Sequence, residues 1–486
     1  MGNPMEAIRR QTIHESAREI PVLAEADVLV AGGGISGCAA ALGAARAGAR
    51  VILLERNGCL GGVATATLMA NIGNHFLTWS GRQTLYGIAA EVVERLVAAG
   101  AASPRWRHPA VPGCTMDPER LKVILIEMLE AAGVTVLTHA LAARPIMSGH
   151  RVCGCFLESK SGRQAVLATN TVDATGEIDL AYQAGADLVE HRGNCSLLFK
   201  VGGVDLDVFV AFLEQDPEGF PAGMDWVKDV QTFAANWRER GVFFFPHYGG
   251  KKWRFLRECI AQGEFTDCIP PAFNLDVLGM YSFRGRGTVV INSNYYIFEG
   301  LDVRVLSQYE THAQKMCYYV ADFLKRKVPG FEKSYVEHIG VDLGLRGARY
   351  IRGRAYLREE QMMNLKAPVY FDDVIAVGVA QTTADGWPHF SDLTCDIPFG
   401  ITVPQGVEHL LVGTGKAVSS DKEHKRIVRG MAYCMAIGQA TGAAAALASR
   451  SGLSAGDVPI RDLQRELLRQ GVWLGDRERL RQLGLA

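Results

Sequence analysis

Between Ala26 and Arg56 the chain reads ADVLVAGGGISGCAAALGAARAGARVILLER, an order that few folds can accommodate. Val28 to Ala31 is a short apolar run, the glycines after it interrupt regular structure, and Ile35 to Ala47 is a run of small helix-compatible residues. Val51 to Leu54 supplies a second apolar run, so the stretch reads as β–turn–α–β. Gly32, Gly34 and Gly37 stand at G-x-G-x-x-G spacing. Such glycines serve a tight turn, a close backbone approach to a pyrophosphate, and a close helix–strand contact. The helix start near Ile35 would offer N–H groups and a positive dipole end to that pyrophosphate. Glu55 closes the second strand, where a carboxylate accepts the hydroxyls of an adenosine ribose and repels a 2′-phosphate. The pattern therefore points to NAD or FAD, which present the same ADP half.

With 486 residues the chain has room for two or three domains, and hydrophobic residues at 48% with charged ones at 21% describe a globular protein. A formal net charge of −1 without a long basic run argues against nucleic acid or an anionic membrane surface as the main partner. The first residues include polar and charged ones throughout and no uninterrupted apolar region, so no signal peptide is expected, and Glu6 stands where a myristoylation signal has Ser or Thr. No apolar stretch approaches a membrane span. The eleven cysteines form no C-x-x-C pair, so no metal site or cysteine-ligated cluster is expected. Cys153 and Cys155, on one face of a strand, read as small buried hydrophobes, with a redox pair as the alternative, and the expected compartment is the cytoplasm.

Farther along, Gly61 and Gly62 form a second small-residue turn, followed by Thr65 and Thr67. Asp117 to Ala132 reads as an amphipathic helix with Asp117 as N-cap, and two strands joined by a Lys-Ser-Gly turn end at Asp173-Ala174-Thr175-Gly176. From 191 to 341 the texture changes to aromatic clusters mixed with charged segments. The dinucleotide-type pattern resumes with an apolar run at Val407 to Val412 and a turn at Gly413 and Gly415. A helix is expected from Ile427 to Ser449, with Gly430, Cys434, Gly438 and Gly442 as a stripe of small residues able to press against a strand or a flat ring. The layout is α/β. A Rossmann-like domain, discontinuous in sequence (1–190 and 342–456), carries an inserted α+β substrate domain (191–341), and a helical tail follows (457–486).

These pieces together resemble FAD-dependent oxidoreductases built on the glutathione-reductase-type flavin domain, and within them a large bacterial family of mostly uncharacterised members. The carrying stretches are VAGGGISG with LLER, GGVATA, DPERLK, DATGEIDLAYQAGA, GLRGARYIRG and CMAIGQATGAAAA. The likeness is strong at both ends and thin from 191 to 341. It implies that Gly32, Gly34 and Gly37 hold the FAD pyrophosphate and Glu55 the adenosine ribose. It places Gly61 and Gly62 along the diphosphate and ribityl chain, and Thr175 and Gly176 towards the adenine. Gly413 and Gly415 would approach the ribityl phosphate, and Arg56 and Thr65 join the implied cofactor-binding set. Arg429, with Arg426 in the first turn of the Ile427 helix, would face the pyrimidine end of the flavin, where reduction accumulates charge. FAD also accounts for a second close-approach turn far downstream, which NAD does not. The chain departs from the family pattern in three places. Glu177-Ile178-Asp179 replaces Asp-Gly-Asp, Arg346-Gly347-Ala348 replaces Arg-Glu-Ser, and the GTGK at Gly413 to Lys416 replaces Ala-Gly-Arg or Ala-Gly-Asp. There is no second G-x-G-x-x-G unit, so electrons would come from the organic substrate, a transiently bound nicotinamide or a partner protein.

Hydride transfer to flavin N5 needs an acid or base near the reacting carbon, and His switches near neutral pH. His75, His247 and His389 keep interesting company. His389 is the preferred base because it precedes the CDIPFG segment that the family brings to the flavin, and His75 is the alternative base or a covalent attachment point. Arg346 and Arg349 would clamp a carboxylate or phosphate if both face the cleft, and are structural partners of acidic residues if they do not. Phe243 to Phe245, Tyr248 and Trp253 read as core. The expected activity is that of a dehydrogenase or oxidase acting on a small polar organic molecule, and a homo-oligomer is compatible with it. The alternatives are a flavin-bearing electron-transfer subunit, or a lyase or hydrolase that oxidises its substrate transiently.

Overall fold

The computed structural model describes residues 12–486 apart from 74, 112, 191–192, 224, 248, 266–272, 294, 299, 385–386 and 422–427. Side chains at 225, 273–274, 295–298, 382–384 and 387–390 also lie outside the described set. The β–turn–α–β unit forms as its residues require, with a strand at Val22–Ala31, a helix at Ile35–Arg46 and a strand at Val51–Leu54. The two strands run parallel with Val28 opposite Val51, and Val51–Leu54 pairs in turn with Thr135–Leu137. Val22–Ala31 pairs on its other side with Gly162–Asp173, also parallel. That long strand is shared along its outer edge. Its first half pairs antiparallel with Arg151–Ser159, and its last three residues pair parallel with Leu410–Val412, so the chain returns to the same sheet after the insertion.

The strand expected over Val407 to Val412 is shorter, and the helix expected from Ile427 runs instead over Met431–Arg450. Gly430 is its N-cap, in an extended conformation that places Arg429 ahead of the first turn rather than in it. Arg426 and Ile427 lie outside the described residues. This helix is long and apolar enough to cross a membrane, but 94% of its apolar window is buried in protein. It lies against the Ile35–Arg46 helix, which is where its small-residue stripe faces, rather than a strand or ring. A Cβ at Gly438 would stand 2.2 Å from Ser36 O, one at Gly442 1.9 Å from Ala40 O, and one at Gly43 2.4 Å from Gln439 O.

The inserted part contains a five-stranded antiparallel sheet in the order Val242–Phe245, Gly279–Phe283, Thr288–Asn292, Phe199–Gly202 and Tyr335–Ile339. Phe199, Phe243, Phe245 and Ile291 are fully buried and belong to one cluster with Phe209, Phe233 and Phe331 from outside the sheet. The Phe209 and Phe331 rings meet edge to face at 5.3 Å. Trp253 joins this core, as expected, and Tyr248 lies outside the described residues. Phe244 and its cross-strand partner Tyr281 belong to the opposite sheet face.

After the insertion a long hairpin, Val374–Ala384 with Trp387–Pro398, leads back towards the flavin-type sheet. The tail contains helices at Ile460–Arg469 and Arg477–Gln482. Arg479 locks the second of these to the hairpin through Asp396 Oδ2 at 2.9 Å and Phe371 O at 2.7 Å. Both partners are buried, so losing either charge would leave the other uncompensated, at a cost of roughly 3–5 kcal/mol.

Candidate active site between the nucleotide cradle and the inserted sheet

The three motif glycines do different physical work. Gly32 sits at φ 99°, and a Cβ there would meet Ala174 O at 2.4 Å; at Gly37 a Cβ would lie 1.8 Å from Gly32 O. Both are demanded by the protein's own close contacts. Gly34 has φ −63° and open space beside it, with nothing nearer to a Cβ than Gly62 Cα at 4.0 Å. Gly61 and Gly62, both at positive φ, close the cradle from the other side, and the Gly61 N–H donates to Gly33 O at 2.8 Å. Glu55 is 6% exposed and accepts from the Gly33 N–H at 2.7 Å and the Asn57 N–H at 2.8 Å. Burial raises its pKa, and each oxygen keeps a lone pair for a ribose hydroxyl. Helix N–H groups, a bare backbone at Gly34 and a fixed carboxylate at the strand end fit the ADP half of FAD.

Other expected cofactor contacts have structural partners. Thr65 donates its hydroxyl to Leu60 O at 2.5 Å and braces the Gly61–Gly62 turn from inside. Thr175 donates to Asp173 Oδ1 at 2.7 Å and accepts from the Asp179 N–H at 2.9 Å, while Gly176 supplies positive φ beside Lys416. Gly413 and Gly415 are small because Val172 Cγ1 and Val428 O would stand 2.5 and 1.9 Å from a Cβ there. Arg56 pairs with Asp342, tying the cradle to the segment beyond the insertion.

The three departures from the family pattern meet at one point. Glu177 takes the Lys416 ammonium on one oxygen and the Ala348 N–H, at 2.8 Å, on the other. Lys416 also donates to Leu345 O at 3.2 Å. Each substitution looks arbitrary alone, and together they form one knot across three segments.

The expected arginine clamp does not form. Arg349 pairs with Asp179 at 3.2 Å and Glu190 at 3.3 Å and stacks over the Tyr182 ring at 3.8 Å, which makes it a strut. Gly347, at φ 102°, turns the backbone between the two arginines. Arg346 joins the inserted sheets through its N–H to Asn194 O at 2.8 Å, and its charge acts on His247 and Cys195.

That imidazole marks a junction. His247 Nε2 is hydrogen-bonded to the Tyr281 hydroxyl. Gly279 makes room for both, since a Cβ there would lie 2.8 Å from Tyr281 Oη and 3.0 Å from His247 Cδ2. Burial, then Arg346 and Arg429, push the His247 pKa down to about 3. Arg346 and Arg429 both follow the insertion in sequence, and the charges of both act on this one imidazole. Arg429 also acts on His75, which burial pushes down to about 4. The His75 ring lies 5.1 Å from that of Tyr433, whose buried hydroxyl accepts from the Val379 N–H at 3.0 Å. The Arg429 charge thus acts on two buried imidazoles, one bonded to Tyr281 and one beside Tyr433. His389 lies on the hairpin opposite Thr382, and its side chain is outside the described residues.

Tyr281 and Tyr433 escaped the sequence reading. The Gly-x-Tyr of GMYSF and a lone Tyr within a helix of small residues were the available signals. Open surface grooves at Gly203–Asp207 with Arg284–Gly287 (about 510 Å³) and at Tyr350–Gly353 with Ser419 (about 470 Å³) lie apart from these residues. Among the described residues no His, Cys, Asp or Glu cluster of three could hold a metal.

Gly34→Ala is expected to leave the apoprotein's melting midpoint within about 2 °C of wild type while weakening FAD binding at least about tenfold, because its methyl projects only into the cradle. Gly37→Ala is expected to lower the melting midpoint of the apoprotein itself. Calorimetry with FAD titration separates the two, and equal destabilisation by both would contradict the assignment. The histidines also set a pH dependence. The unfolded chain takes up protons near 6.5, whereas folded His75 and His247 hold off until about 4 and about 3. In that interval the unfolded state binds more protons, so stability is expected to fall as pH drops from about 6.5 to about 4, by on the order of 1–3 kcal/mol per imidazole. Urea unfolding of wild type and His247→Gln across this range checks it; an identical pH slope in both would contradict it.

The profile of the FAD dependent oxidoreductase family matches residues 27–467. Digeranylgeranylglycerophospholipid reductase 2 of Methanothermobacter thermautotrophicus is 28% identical over 206 residues, covering 41% of this chain and 53% of the relative. Its counterpart from Methanopyrus kandleri is 30% identical over 212 residues, covering 42% and 51%. The chain thus spans about half the length of the curated relatives it matches. Among solved structures, a geranylgeranyl bacteriochlorophyll reductase-like protein from Thermoplasma acidophilum aligns with TM-score 0.42 and 13% identity over 95% of this chain and 91% of its own. The myxobacterial chondrochloren halogenase CndH aligns with TM-score 0.45 and 15% identity over 92% and 79%. With the family profile covering nearly the whole chain and a cradle shaped for an ADP-bearing cofactor, this protein is an FAD-dependent oxidoreductase.

Proposed function

We propose that the enzyme oxidises an alcohol carbon of a small polar organic anion, with Tyr281 and His247 as its proton path. The observation that carries this reading is a buried imidazole hydrogen-bonded to a phenol, with the charges of Arg346 and Arg429 both acting on it. FAD, when bound, supplies the two-electron acceptor for the hydride that leaves the carbon. The remaining task, removal of the hydroxyl proton, falls to the protein. Neutral His247 accepts at Nε2 from Tyr281, and a phenolic oxygen that donates its proton can in the same step accept one from the substrate hydroxyl. As the carbonyl forms, that proton passes to Tyr281 and the Tyr281 proton to His247 Nε2.

Arg346 and Arg429 give the path its switch. Their charges help to hold His247 deprotonated, and an anion bound between them offsets that field, so substrate binding raises the basicity of the group that must take the proton. His75 and Tyr433 wall the flavin-type side. This role passes the base from His389 to His247, and Arg349's place in the clamp to Arg429.

The curated relatives are named as reductases of an isoprenoid phospholipid, and that activity is a second reading for this chain. The cluster of imidazoles, phenols and guanidiniums favours the polar substrate, because a long hydrocarbon would desolvate those groups without pairing them. Tyr281→Phe and His247→Gln are expected to purify with FAD and to slow anaerobic flavin reduction by a pool of small hydroxy acids about 10²–10⁴-fold. Rates within about threefold of wild type would remove the pair from the mechanism.

A further inference from the structure

Beside the Tyr281–His247 pair stand polar atoms that the protein itself does not satisfy. Asn292 and Ser293, at the end of the Thr288–Asn292 strand, are 0% exposed. Both amide atoms of Asn292 and the Ser293 hydroxyl lack hydrogen-bond partners. Two other buried polar residues of the inserted part are paired, Ser282 donating to Thr288 O at 2.7 Å and Asn236 to Trp226 O at 3.0 Å. Leaving three buried polar atoms unpaired in one dipeptide is costly, and folded proteins avoid it unless a bound group completes the set.

Register says where they stand. Asn292 pairs with Gly279, and Val290 with Tyr281. Residues directly opposite in an antiparallel pair share a face, so the Asn292 amide stands next to the slot over Gly279 that Tyr281 Oη and the His247 ring fill.

We infer that Asn292 and Ser293 are the substrate-recognition edge of this site, and that the substrate carries two adjacent hydroxyl groups, one delivered to Tyr281 and its neighbour held by the Asn292 amide. The chemistry of the donors selects that class. An amide offers an acceptor and donors side by side, and a hydroxyl both donates and accepts, so one hydroxyl can satisfy both kinds of atom. A carboxylate would leave Oδ1 unpaired, and an ammonium would leave Nδ2 unpaired. The hydroxyl held by Asn292 is defined as the neighbour of the one delivered to Tyr281, so the inference rests on the proton-path reading above.

Two measurements on the FAD-loaded enzyme test it. Asn292→Leu and Ser293→Ala remove the unpaired atoms and are expected to raise the melting midpoint by about 1–2 °C with FAD content unchanged. A fall in both variants with FAD retained would show that the atoms serve the fold and would overturn the inference. The second uses glycerate and lactate, which differ by one vicinal hydroxyl, as probes of the flavin absorption spectrum. Glycerate is expected to bind at least tenfold more tightly than lactate to wild type, with the difference lost in Asn292→Leu. An equal response to the two probes, including none, would overturn the substrate class. The melting readout needs no turnover, so its result stands apart from the fate of the Tyr281–His247 path.

Discussion

Two helices nearly four hundred residues apart in sequence touch backbone to backbone, and the placement of the site follows from that contact. Gly43 on the first helix and Gly438 and Gly442 on the last leave no room for a side chain between them, since an added Cβ would stand 1.9–2.4 Å from a carbonyl oxygen across the contact. The first helix starts at the nucleotide cradle. The second starts two residues after Arg429, and Tyr433 lies in its first turn. Holding the helices this close fixes the start of the second against the first, and the bond that the Val379 N–H donates to the Tyr433 hydroxyl carries the long hairpin with them. Substituting alanine at any of the three glycines would push apart the two ends of the chain that jointly make the flavin-side wall.

The charges of the site are arranged around two imidazoles that stay neutral. Burial is the largest cause for both, and the arginines add to it. A neutral imidazole can accept a proton, whereas a protonated one would repel the same cations that gather the substrate. The knot at Glu177 serves a different end, absorbing Lys416 and the Ala348 N–H so that Arg346, two residues before Ala348, is held at the edge of the inserted sheets.

Much of this was visible in the chain before folding. Each motif glycine answers a separate physical demand, which is why the cradle and the strand–helix–strand unit could be read from residues alone, as could Glu55 and the capped helix after Asp117. The small-residue stripe on the last helix was visible as well, but a stripe says only that something comes close, and the partner was the first helix. Cross-strand pairs were beyond reach. His247, two residues beyond the Val242–Phe245 strand, meets Tyr281 because that strand pairs with Gly279–Phe283, and Asn292 faces Gly279 through the next pairing, partners far apart in sequence that no local stretch names. Arg346 and Arg349 are three residues apart with Gly347 at positive φ between them, yet Arg349 is held by Asp179 and Glu190 while the Arg346 charge acts on His247.

The most direct test is an anaerobic titration of the FAD-loaded enzyme with separate pools of small hydroxy acids, neutral polyols and isoprenoid lipids, following the visible flavin band. Bleaching by the hydroxy-acid pool, slowed by loss of Arg346 or Arg429, is the result expected of a polar, cationic site that takes its electrons from an alcohol. Indifference to that pool, with dithionite-reduced enzyme reoxidised by an unsaturated isoprenoid lipid, would contradict it and would make the chain a reductase like the proteins it partly matches.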